Sequence, residues 1–160
     1  MITERFSKIG STPDLVPEKI DLVLRDTVQY LRPRLPSRVK IEVHTTDPEI
    51  TVPLNRALFS WVLENLMRNA VDAMEGEGSI TITTEKDGNE VHVDVTDTGK
   101  GIPARQLRTV FQPGFTTKKR GWGLGLSLTK RIMETYHKGK IFVKRSTVGK
   151  GTTFRISLRG

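Results

Sequence analysis

The stretch from about Asn55 to Met74 carries the clearest periodic pattern in the chain. At about 100° per residue, Leu63, Met67, Ala70 and Met74 share one line of a helix, and Asn65, Asn69 and Asp72 share another roughly opposite. The apolar line can pack on a sheet. The polar line presents two carboxamides and a carboxylate, which can ligate a hard cation or hydrogen-bond a polar ligand. Taken alone, Glu64 to Ala73 (ENLMRNAVDA) also reads as an amphipathic helix with a solvated face. The rest of the chain has to decide between the two.

A chain of 160 residues amounts to one domain with room for a real core. No apolar run approaches the roughly 18 residues of a membrane span. The N-terminus, MITERFSKIGS, lacks the apolar centre of a secretory signal. The absence of cysteine excludes disulfides, thiolate metal sites and a cysteine nucleophile, and fits a reducing cytoplasm. A formal charge of +8 favours an anionic partner. The basic residues are scattered, however, without the aromatic-rich basic strand or recognition helix of a nucleic-acid module, so no nucleic-acid partner is expected.

Residues 1–12 are helix-compatible up to Gly10 and read as the end of an upstream helical element, with the domain proper over 13–160. Glu18 to about Leu31 forms an amphipathic helix that Pro33 and Pro36 end, and Val39 to Thr45 alternates as a half-buried strand. Ile50 to Pro53 is a short strand. Beyond the Asn55 helix, Ser79 to Glu85 and Glu90 to Thr96 form a hairpin about Asp87-Gly88-Asn89. Val91, Val93 and Val95 then point one way, and His92 and Asp94 face solvent. A glycine-rich stretch, Asp97 to Pro103, leads into a short helix over about Ala104 to Val110. A loop follows, then a helix reaching about His137, and two strands at Gly139 to Ser146 and Gly151 to Leu158. This order predicts an α+β, two-layer sandwich: a mixed, mostly antiparallel sheet of about five strands packed on three helices.

Three features carry chemistry. Gly121, Gly123 and Gly125 alternate just before a helix, where bare backbone N–H groups can approach phosphate oxygens; the spacing is neither a dinucleotide fingerprint nor a P-loop. Asp97 ends an apolar strand beside Gly99 and Gly101. Its carboxylate can accept a hydrogen bond from an exocyclic amine while a flat ring lies on glycine backbone; an ordinary Asp-Thr-Gly turn is the plainer reading. Lys118, a few residues before the glycines, can reach a terminal phosphate as a point charge.

In this order the features resemble the nucleotide-binding domain of the histidine kinase, gyrase, HSP90 and MutL (GHKL) ATPase superfamily, the Bergerat fold. Glu64 to Ala73 looks like the N box, Asp97 to Gly101 and Gly121 to Gly125 like its glycine boxes, and Phe111 to Phe115 like the F box of an ATP lid. Gly149-Lys150-Gly151-Thr152 looks like the last glycine box. The resemblance implies ATP and Mg2+ as cofactors, with Asn69 on the metal and Asp72 reaching the nucleotide through water. It implies Asp97 on the adenine amino group, with Gly99, Gly101, Ile102 and Thr152 around the base. Thr117, Lys118, Gly121, Gly123, Leu124, Gly125 and Leu126 are implied to hold the phosphates. Asn65, Asn69 and Lys118 form the implied catalytic set. The short lid, with Trp122 between its glycines, is most similar to those of sensor histidine kinases.

Asn65 discriminates within that superfamily. The hydrolysing members place a water-activating glutamate four residues before the metal-binding asparagine, and a carboxamide there cannot act as a general base. The expectation is therefore a protein histidine kinase domain that transfers the γ-phosphoryl of ATP to a histidine on a separate helical hairpin, for relay to a response regulator. His44, His92 and His137 lie outside any such acceptor context. The isolated chain is expected to be a cytoplasmic monomer, incomplete as an enzyme. Its parent is expected to be a homodimer, with room for a membrane anchor in missing upstream segments. The alternatives are a stand-alone GHKL ATPase and a serine-directed regulatory kinase.

Overall fold

The structure, a computed structural model, describes residues 13–112 and 125–160. In chain order its elements are β1 (Val16–Lys19), α1 (Ile20–Leu31), β2 (Val39–Thr45), β3 (Thr51–Leu54), α2 (Arg56–Ala73), β4 (Gly78–Asp87) and β5 (Glu90–Asp97). Then come α3 (Gly125–Arg131), prolonged by a π-helical turn over Ile132–Tyr136, and β6 (Lys140–Thr147) and β7 (Gly151–Arg159). The main sheet has the order β2-β4-β5-β7-β6, with β2 parallel to β4 and the other neighbours antiparallel. The small sheet pairs β1 with β3. The expected mixed, mostly antiparallel five-stranded sheet on three helices is what forms. Among the described residues no helix is long and apolar enough to cross a membrane.

Alternation decides which face is buried. Ile80 and Ile82 of β4, Val91, Val93 and Val95 of β5, and Phe154, Ile156 and Leu158 of β7 all enter one core. The long helix α2 lays Leu58, Phe59, Val62, Leu63, Leu66, Met67 and Ala70 against it. At roughly 1.5–3 kcal/mol for each large apolar side chain, this burial outweighs any intrinsic helix propensity in α2. Asn55 caps the helix, its side-chain oxygen accepting from Leu58 N at 3.1 Å. The Asn55 N–H in turn donates to His137 Nε2 at 3.1 Å, while His137 Nδ1 meets the Ile132 carbonyl at 3.0 Å. Those partners require a neutral ring protonated on Nδ1, and burial pushes the His137 pKa below 6.5 in the same sense.

The structure corrects several expectations. His92 and Asp94 are buried, not solvent-facing. Because β5 is the central strand, the side chains of β4 and β7 wall in its outer face as well. Cross-strand pairs fill that face: His92 Nδ1 lies 2.9 Å from Ser157 Oγ, and Asp94 accepts from Arg155 Nε and Nη2 at 2.8 and 3.0 Å. Burial pushes the Asp94 carboxyl up, but Arg155 and Lys144 together outweigh this and hold it below 3.8. The helix expected over Ala104 to Val110 is a single 3-10 turn, Ala104–Gln106, followed by further turns. The first helix starts at Ile20, not Glu18, because residues 16–19 are extended against β3 and Ile20 N donates to Ile50 O. The expected upstream element, residues 1–12, lies outside the described residues.

The Asp94–Arg155 pair gives a stability test. Arg155→Val should cost about 3 kcal/mol in urea denaturation, because it leaves a shielded carboxylate short of its main partner. Asp94→Val with Arg155→Val, a β-branched cross-strand pair, should cost clearly less than Arg155→Val alone. Additive losses would show that the pair is not coupled.

Candidate functional site

The site grows from the end of β5. Asp97 is the last residue of that strand and is only 6% exposed. Its Oδ1 accepts from Gly99 N at 2.8 Å and Thr152 N at 3.3 Å, which leaves Oδ2 for another donor. Burial pushes the carboxyl above 3.8 against the pull of those two backbone donors. A carboxylate with two fixed donors and one uncommitted oxygen is an acceptor site for an amine.

Glycine backbone surrounds it. A Cβ on Gly99 would sit 2.7 Å from the Ala73 backbone, so only glycine lets this loop close on the end of α2. Lys100 N then donates to Ala73 O at 3.0 Å. Gly101, at φ +78°, faces Thr147: a Cβ there would lie 2.4 Å from its carbonyl oxygen. In this structure the bare face of Gly101 is thus taken by the β6–β7 turn and not left open to a ring. The half-buried Ile102 donates its N–H to Ser146 Oγ at 2.7 Å, and Ser146 Oγ lies 2.8 Å from Thr152 Oγ1.

The two asparagines of α2 behave differently. Asn65 Nδ2 donates to Thr129 Oγ1 at 2.9 Å, and Thr129 Oγ1 donates to Gly125 O at 2.7 Å. Gly125 packs directly on this carboxamide, since a Cβ would come within 2.9 Å of Asn65 Oδ1. One turn on, Asn69 keeps its Nδ2 buried without a hydrogen-bond partner among the described residues. Buried amides are almost always paired, so this carboxamide is held off the protein's own network. Its oxygen is a hard donor of the kind Mg2+ takes once or twice from protein, with the rest of its shell from phosphates and water. The residues present therefore fit that ion. Asp72, on the same line, is exposed, and Leu126 is partly buried against the core.

Asp97, Gly99, Gly101, Ile102 and Thr152 are thus joined by hydrogen bonds and close backbone contacts, and the loop they form rests on the end of α2 beyond Asn69 and Asp72. Thr117, Lys118, Gly121, Gly123 and Leu124 lie outside the described residues, as do Phe115 and Trp122. Phe111 packs edge-on against Phe154, with ring centroids 6.0 Å apart. Sequence reasoning missed Thr129 and Ser146. Thr129 sits four residues after Gly125, a spacing that invites a helix-internal hydroxyl bond but does not announce Asn65 as partner.

Residues 54–160 match the family model described as histidine kinase-, DNA gyrase B-, and HSP90-like ATPase. The sensor histidine kinase ZraS of Escherichia coli (strain K12) is 42% identical over 121 residues, 76% of this chain and 25% of that protein. The chain therefore spans about a quarter of that curated relative's length. Among solved structures, the nucleotide-free catalytic domain of histidine kinase ThkA aligns with a TM-score of 0.82 at 28% identity, covering 91% of this chain and 95% of that one. ThkA in complex with the response regulator protein TrrA aligns equally, at 0.82 and 26% identity over 99% of this chain and 45% of that one. Full-length ShkA in complex with AMPPNP aligns at 0.81 and 25% identity, over 97% and 33%.

The raised Asp97 pKa predicts a trade between stability and binding. The stability this carboxyl contributes is present when it is protonated, below 3.8, and is lost as pH rises through its higher folded-state pKa. Asp97→Asn should therefore melt higher than wild type at neutral pH without nucleotide, and the gap should close on acidification. The same variant should bind ATP about ten- to a hundred-fold more weakly if the uncommitted oxygen is a ligand acceptor, since with the amide oxygen held by Gly99 and Thr152 it is a donating NH2 that takes the Oδ2 position. Calorimetry and titration together check both directions.

Proposed function

The chain belongs to the histidine kinase-, DNA gyrase B- and HSP90-like ATPase family and has the fold of histidine kinase catalytic domains; on that footing we propose that it binds Mg-ATP and transfers the γ-phosphoryl group to a histidine. The acceptor stands on a helical hairpin of the same or a partner chain, which passes the group to a response regulator. The structure of ThkA with a response regulator and that of ShkA with AMPPNP support this reading by similarity. Residues 1–12 are read as the end of the element that leads to the hairpin.

The single observation that carries the reading is the pair of amide states on α2. Asn69 has a buried nitrogen without a hydrogen-bond partner among the described residues, and its oxygen is the atom proposed for the metal. Asn65, bonded to Thr129, holds no carboxylate with which to activate water. Asp97 accepts the adenine amine through Oδ2, its Oδ1 being saturated by Gly99 and Thr152. Asn69 Oδ1 would hold a magnesium ion, which when bound would supply charge neutralisation on the phosphates. The protein's own part is positioning, which is most of what phosphoryl transfer asks of it. Lys118 and the amides around Gly123 and Gly125 complete the proposed phosphate site, and Asp72 reaches the nucleotide through water.

Asn69→Ala tests the assignment. Nucleotide affinity measured with and without magnesium should lose its metal dependence and fall by about ten-fold or more. Affinity that stays unchanged and magnesium-dependent would remove Asn69 from the site. Rapid ATP turnover by the unaltered chain would favour a hydrolase over a transferase.

A further inference from the structure

Strand β2 is the outermost strand of the main sheet and has β4 on one side only. The phase of the parallel ladder decides which of its backbone groups are spent. Gly78 N donates to Arg38 O at 3.2 Å and Thr46 N to Thr84 O at 3.3 Å, which puts the even-numbered residues of this stretch on the β4 side. The N–H and C=O groups of Ile41 and Val43 therefore point to the open edge. One of them is covered, because Arg32 Nη1 donates to Ile41 O at 3.3 Å. The Ile41 N–H and both groups of Val43 have no partner among the described residues. An edge left in this state is a template for another strand.

Beside that edge lies a groove of about 500 Å3, lined by Arg25, Val28, Gln29, Arg32, Pro33 and Val43. Its floor is apolar, with Val28 buried and Val43 half-buried. Its rim is cationic. The Arg25 guanidinium is already spent on Asp21, at 3.0 and 3.1 Å. Arg32 is exposed and meets only a backbone carbonyl; no carboxylate pairs with it among the described residues. A guanidinium with a neutral partner keeps its capacity for a two-point bond to a carboxylate.

These features together select one occupant. Unspent ladder groups call for extended backbone, since a helix has already satisfied its own. The apolar floor calls for apolar side chains at alternate positions, on the face turned toward α1. The guanidinium without an acid, on a chain of net charge +8, calls for an acidic residue beside them. A second copy of this chain is the poorer match. Pairing β2 with its own twin about a two-fold axis would bring two cationic rims together along one seam.

We propose that this groove receives an extended acidic segment of a partner protein, which adds a strand along Ile41 and Val43 and sets a carboxylate on Arg32. The groove shares no residue with the nucleotide site and does not rest on that reading.

The test titrates the isotope-labelled whole chain with two capped peptides, one alternating glutamate and valine, the other lysine and valine, and follows backbone amide signals. The acidic peptide should shift the Ile41 and Val43 amides and bind at least about ten-fold more tightly than the basic one. Arg32→Gln should weaken the acidic peptide about ten-fold, the loss of one charge-assisted pair. Val43→Pro removes an edge N–H that no ladder bond uses and should also lose the peptide. If that variant does not fold, Arg32→Gln decides alone. Equal binding of the two peptides, shifts that fall away from β2, or no binding to the wild type overturns the proposal. Self-association of the chain that Val43→Pro or Arg32→Gln alters would assign the edge to a second copy, and overturns it too.

Discussion

A carboxylate removed from water at the end of a strand is the constraint around which this domain closes. Asp97 is buried with two backbone N–H groups on its Oδ1, one local, from Gly99 two residues on, and one distant, from Thr152 on the last described strand. Bringing those segments so close leaves no volume for side chains. A Cβ on Gly151 would lie 2.0 Å from the Asp97 carbonyl oxygen, and one on Gly99 would meet Ala73 at 2.7 Å. The glycines of the site are therefore packing requirements of the empty protein before they are anything to a ligand.

The two asparagines show how one helical line can hold different roles. Asn65 is consumed internally, tying α2 to Thr129 and, through it, to the first turn of α3. Asn69, on the same face, is withheld from such bonding. An unpaired buried amide costs about 1–3 kcal/mol in the empty state. Asp97 adds to that cost through its raised pKa. Both costs fall on groups read as ligand contacts, and the apolar burial along α2 and the sheet is what offsets them.

Much of this was legible from periodicity. The α2 pattern, the hairpin about Gly88 and the alternating strands were read to within a few residues, because a repeat of 3.6 or 2 survives in sequence wherever one face is buried. What escaped were features that periodicity does not encode. His92 and Asp94 looked solvent-facing because alternation reports the two faces of a strand but not its neighbours, and a central strand is walled in on both sides. The bulge at Lys144 breaks alternation by one residue, so counting from Ile141 places Arg145 where Ser146 stands. Strand β1 is four residues long and contains Pro17, too short and too irregular to show a period. The order of the glycine and asparagine motifs carried the candidate site, whereas its hydroxyl wiring appeared only in three dimensions.

The position of β7, between β5 and β6 in the sheet yet after both in the chain, bears on how the domain is made. Asp97 emerges from a ribosome 55 residues before Thr152, its second donor. Through that interval β5 has β4 on one side and an unpaired edge on the other, and the carboxylate stays hydrated with ordinary acidity. The surroundings of Asp97 are therefore completed only when β7 pairs with β5, a non-local closure of the slow kind. Until that step the open edge of β5 is what a chaperone would have to cover.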